Sequence, residues 1–107
     1  MKATTATLTD LLERVPRRHS ADNVKEINTL VSEYEEILIT IEALNSYYEK
    51  NTAVFFEDLD KVRTAVKKST DNKASKKSKD DYFSEASGIL KESIESLIKV
   101  YEDGGKN

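Results

Sequence analysis

Residues 24–41 read VKEINTLVSEYEEILITI, and the order of apolar and charged letters in this stretch decides the fold. Val24, Ile27, Val31, Tyr34, Leu38 and Ile41 recur at alternating steps of three and four. A helix brings such positions back to one side, whereas a strand needs a period of two. Leu30, Ile37 and, just beyond the stretch, Leu44 lie beside the line, and Lys25, Glu26, Glu33, Glu35 and Glu36 fall off it. A seam of this kind belongs to a helix packed lengthwise on other helices.

Followed toward the C-terminus, the same phase passes Asn45, Tyr48, Thr52, Phe55, Leu59, Val62 and Val66 without a slip. One continuous helix over 21–69 is therefore one reading, a rod of about 70 Å at ~1.5 Å per residue. Against it, Asn45-Ser46 and Asn51-Thr52 flank Tyr47-Tyr48, and all are middling helix formers. A break within 45–52, near Asn51, is the other reading. An unbroken rod outruns the rest of the chain and needs a partner or a second copy to cover its seam. A broken one lets the chain close on itself as an antiparallel bundle.

Toward the N-terminus, Ser20 is a good cap and Asp22 suits the first turn of the long element. Leu8, Leu11, Leu12 and Val15 mark a short helix over 8–16 that Pro16 ends. Residues 70–80 carry no large apolar side chain and read as a basic, flexible loop. A last helix over 81–103 carries Phe83, Ala86, Leu90, Ile94, Leu97, Ile98 and Tyr101 on one face and meets Gly104-Gly105. Gly88 inside it suggests a close approach of a second helix. The expectation is a single all-α domain of three to four helices, either a small bundle or an extended helical hairpin with coiled-coil-like packing.

With 107 residues, 35% of them charged, and no cysteine, disulfide and zinc-thiolate chemistry are excluded. The longest apolar run, Ile37 to Ile39, is far below the roughly 18 residues of a membrane span. Residues 1–8 show no apolar stretch of a signal peptide, so a cytoplasmic protein with no membrane partner is expected.

The net charge of −3 hides a block pattern. Residues 22–60 hold ten acids against Lys25 and Lys50, while 61–79 hold eight bases against Asp71. Arg17 and Arg18, with Lys67, Lys68, Lys73, Lys76, Lys77 and Lys79, are candidate contacts to phosphates or to an acidic protein surface. On a continuous wheel Ile39, Ala43, Tyr47 and Val54 fall within about 80° of one another, away from the seam. Together with Phe56 and Tyr82 they form a second apolar surface, covered either by the short first helix or by a partner's helix.

Signals for chemistry are thin. His19 is the only histidine, and Glu33/Glu36, Glu92/Glu95 and Glu57 to Asp60 fit solvated faces. Three glycines, none clustered before a helix, make no phosphate-cradling loop. Neither catalysis nor a cofactor or metal is expected. The function expected is a non-enzymatic protein-interaction module, an assembly subunit, adaptor or small inhibitor that meets a protein partner or a copy of itself. A small nucleic-acid-associated regulator is the alternative.

Overall fold

A computed structural model describes residues 2–105, with the side chains of 2, 3 and 105 left aside. Four helices follow one another: α1 (Lys2–Arg14), α2 (Ala21–Glu42), α3 (Ser46–Ser69) and α4 (Lys76–Gly105). No strand occurs among the described residues.

The long seam is broken, and it breaks at Ala43 to Asn45, at the early edge of the expected window. Asn45 has an extended backbone, and its side-chain oxygen accepts from Tyr48 N at 3.0 Å, which caps α3. Asn51 and Thr52 stay inside α3 because each satisfies its side chain locally. Asn51 Nδ2 donates to Tyr47 O at 2.7 Å and Thr52 Oγ1 to Tyr48 O at 2.7 Å. With the chain folded back, the rod is not formed and α2 packs antiparallel on α3. The seam is covered by the chain's own helices, so it supplies no demand for a partner.

Six residues, Thr70 to Ser75, connect α3 to α4. Helix α4 begins at Lys76, about a turn before the expected start. Ser75 Oγ accepts from Ser78 N at 3.1 Å, and lysines are good helix formers that need no core to stay helical. Helix α1 likewise starts earlier than its apolar pattern shows, since nothing in residues 2–7 stops a helix and Thr9 Oγ1 bonds back to Thr5 O at 2.9 Å. It ends at Arg14, before Pro16, as the proline dictates.

The core runs the length of the bundle. Ile27, Leu30, Tyr34, Leu38 and Ile41 of α2 meet Phe55, Leu59 and Val62 of α3 and Phe83, Leu90, Ile94 and Leu97 of α4. Leu8 and Leu11 of α1 close the remaining side. Buried polar groups are matched: the Tyr34 and Ser93 hydroxyls lie 2.7 Å apart, joining α2 to α4, and Ser69 Oγ donates to Val66 O at 2.6 Å. No buried side-chain nitrogen or oxygen lacks a partner among the described residues. At the surface Arg14 bridges Asp10, Glu26 and Glu33, tying α1 to α2. Arg63 grips both oxygens of Glu35 at 3.1 and 3.2 Å, tying α3 to α2. The molecule measures 49 × 22 × 17 Å, its long axis close to the ~45 Å of a 30-residue helix. No helix among the described residues is long and apolar enough to cross a membrane.

Candidate functional site

At the end where α2 turns into α3, large apolar side chains stand in solvent. Ile39 is 53% exposed, Leu44 51%, Tyr47 39% and Val54 51%, and these are the exposed large hydrophobic residues of the described chain. The break explains the arrangement. Ile39 lies one turn before the end of α2 and Leu44 within the turn, while Tyr47 and Val54 stand seven residues apart on one side of α3. The phase shared by Ile39 and Tyr47 on an unbroken wheel is lost at Asn45, so the four residues surround the turn rather than form a stripe. Leu44 was placed beside the seam by periodicity; the capping residue after it is the signal that puts it outside.

Helix α1 does not cover these residues. It lies on the Ile37 side of α2, where Thr4 and Thr7 face Glu36, Ile37 and Thr40 across a shallow groove. Of the other apolar candidates, Phe56 is half-buried and packs on the core. Tyr82 is half-buried too, with Lys68 Nζ 5.6 Å from its ring centroid.

Beneath Tyr47 is a small aromatic assembly. Its ring meets Tyr48 edge to face at 5.3 Å, Tyr48 stacks on Tyr101 at 5.8 Å, and the Tyr48 hydroxyl donates to Tyr101 O at 3.0 Å. Burial, then the neighbouring Tyr101 and Tyr47, push the Tyr48 phenol above its usual value. Gly104 lets α4 come this close, because a Cβ there would stand 2.5 Å from the Tyr48 oxygen. Around the turn acids outnumber bases, with Glu36, Glu42 and Glu49 against Lys50, while Asp58 and Asp60 lie farther along α3 beside Lys61 and Glu35 is engaged by Arg63.

The bases gather at the opposite end. Ser87 Oγ donates to Pro16 O at 2.7 Å, and His19 sets its ring edge to face on Phe83 at 5.6 Å with Nδ1 3.8 Å from Asp80 Oδ1. These contacts lay the α1–α2 connector on the first part of α4. Arg17 and Arg18 thereby share an end with Lys67, Lys68, Lys73, Lys76, Lys77 and Lys79, although some fifty residues of chain separate the two groups. His19 is partly covered by Phe83 rather than freely solvated.

Gly88 shows the opposite of what its place in a helix suggested. No atom lies within 4 Å of where its Cβ would be. It lines a groove of about 480 Å³ between α1 and α4, with Leu12, Val15 and Ser84 beside it. Among the described residues no three His, Cys, Asp or Glu side chains are grouped to hold a metal ion. Comparison with protein-family models, with curated proteins and with solved structures gave no match to this chain.

Proposed function

We propose that this chain is a non-enzymatic protein-interaction module, an adaptor, assembly subunit or small inhibitor, that receives a helix of a partner protein at the α2–α3 end. The supporting observation is where the exposed apolar residues fall. Ile39, Leu44, Tyr47 and Val54 lie within sixteen residues of one another, and the remaining large apolar side chains of the described chain are buried or half-buried. Covering each of the four would stabilise a complex by roughly 1 kcal/mol at ~25 cal/mol per Å². The acids around them favour a partner helix whose apolar positions are flanked by Lys or Arg.

Two variants test the proposal. Val54→Asp and Ile39→Asp replace exposed side chains, so the helical signal and melting temperature should hold. A photo-crosslinking residue at position 54 should form a discrete adduct with one protein, and a crosslinker at exposed Glu92 should not. The purified adduct partner should bind the wild-type chain and lose at least about tenfold in affinity for either aspartate variant. Wild-type affinity in both variants would remove the α2–α3 end from the function.

A further inference from the structure

We propose that the other end of the bundle is a second, separate surface that binds the phosphate backbone of a nucleic-acid duplex without reading its sequence. The fold assembles this surface from two connectors remote in the chain. Pro16 to His19 is pinned onto α4 through Ser87, Phe83 and Asp80, and the last turn of α3, the Thr70–Ser75 connector and the first turn of α4 supply the rest.

What distinguishes these bases is that they gather at one end; like Lys25, Lys50, Lys61, Lys91 and Lys99 they hold no carboxylate among the described residues, and Lys68 lies over the Tyr82 ring. Arg14 and Arg63 hold carboxylates, whereas no carboxylate lies within 4.0 Å of the side-chain nitrogens of Arg17, Arg18, Lys67, Lys68, Lys73, Lys76, Lys77 or Lys79 among the described residues. All but Lys79 are exposed. Acids share the region too, Asp22, Asp71, Asp80 and Asp81 with Glu85 beside Lys68 and Glu13 beside Arg17, but the bases outnumber them. Asp71 accepts from the Lys73 backbone N at 2.9 Å, and Asp80 faces His19. Like charges held together in this way repel one another unless a polyanion neutralises them.

The surroundings select the polyanion. A lipid surface is held by cations together with an apolar anchor, and a protein interface has an apolar or aromatic centre. This end has no exposed large apolar residue, since those of the described chain lie elsewhere, and its Tyr82 is half-buried beneath Lys68. Cations alone are what phosphate-backbone binding uses. Six of the eight are lysines, point charges suited to phosphates at varied positions rather than to paired contacts with base edges. The acidic far end is repelled by the same duplex, so the bundle approaches end-on. An end of 22 × 17 Å spans about five base-pair steps at ~3.4 Å each.

Fluorescence anisotropy of a labelled 20-base-pair duplex of mixed sequence, titrated with the full chain, tests this. Binding is expected in the micromolar range at 50 mM salt, with log affinity falling against log salt at a slope of about −4 to −5 for some five phosphates neutralised. Lys76→Glu with Lys77→Glu, and separately Arg17→Glu with Arg18→Glu, should each weaken binding about tenfold and flatten the slope by nearly two. These side chains are exposed, and circular dichroism should show the variants folded. Val54→Asp should bind the duplex as the wild type does, which separates this surface from the α2–α3 end. Absence of binding at 50 mM salt would overturn the proposal. So would indifference to either pair of reversals, or tighter binding to a polyglutamate peptide or to phosphatidylserine vesicles than to the duplex.

Discussion

Two glycines in one helix carry opposite consequences, and their environments decide the sign. At Gly104 an added methyl would strike the buried Tyr48 ring. Gly104→Ala should therefore displace the Tyr48 hydroxyl from Tyr101 O and cost about 1–3 kcal/mol. Gly88→Ala meets no atom and removes a flexible residue from the middle of a helix, so it should stabilise by about 0.5–1 kcal/mol. Urea melts of both variants check the pair; a loss at Gly88 would mean that the groove beside it closes in solution. Tyr34 makes the pH dependence legible. Burial raises its phenol well above the ordinary value, partly offset by the Ser93 hydrogen bond. Because the folded form holds its proton more tightly than the unfolded chain, Tyr34 contributes stability in full below pH about 10 and loses it as pH climbs beyond. Tyr34→Phe should blunt alkaline unfolding, followed by ellipticity between pH 9 and 12, while costing about 1 kcal/mol at neutral pH. An unchanged alkaline limb would locate the sensitivity elsewhere, at Tyr48.

At the scale of elements, periodicity exposed whatever touches the core and missed whatever does not. The seam residues Ile27, Val31, Tyr34, Leu38 and Ile41 are buried, as is Leu30 beside them, and Val24 is half-buried. The starts of α1 and α4 lie outside the apolar pattern, because residues 4–7 and Lys76 to Lys79 carry no large apolar side chain; no breaker stops either helix, and Ser75 caps α4. The turn at Ala43 to Asn45 is the instructive case. Phase continues across it, so an amphipathic pattern cannot report the fold-back; only the capping chemistry of Asn45 does. Asn51 and Thr52 carry similar composition yet bond their side chains backward along α3. Asn45→Ala should thus cost about 1 kcal/mol, a melting-temperature drop of about 4–8 °C, and Asn51→Ala should be neutral within about 0.5 kcal/mol. Equal losses by thermal denaturation would mean that the turn does not depend on its cap.

For the molecule as a whole, the fold-back changes what the seam says about function. A continuous rod would have made association obligatory; the bundle covers its own seam and leaves a choice of surfaces. Light scattering should give the mass of one chain at low micromolar concentration, and small-angle scattering a maximum dimension near the 49 Å axis plus hydration. A dimension near 70 Å or a doubled mass would contradict the closed bundle. Of the candidate residues, Ile39, Tyr47 and Val54 are exposed rather than covered by α1, one of the two readings the wheel left open, but Phe56 and Tyr82 are drawn half inside by the packing of α3 and α4. The two basic groups were visible in the sequence as runs of charge. Their meeting at one end was not, because it depends on Ser87 and Phe83 catching the first connector.

One contact has a bearing on how the chain comes to be folded. α2 with α3 and α3 with α4 are hairpins between consecutive helices, whereas α1 packs more on α4, the element farthest from it along the chain, than on its neighbour α2. Neighbouring hairpins zip quickly, and closure over most of the chain comes late. During synthesis Leu8 and Leu11 emerge before α4, on which α1 makes most of its contacts. Helix α1 is the last to settle, and a nascent chain halted before α4 would leave much of its apolar face uncovered, adhesive surface for a chaperone to grasp.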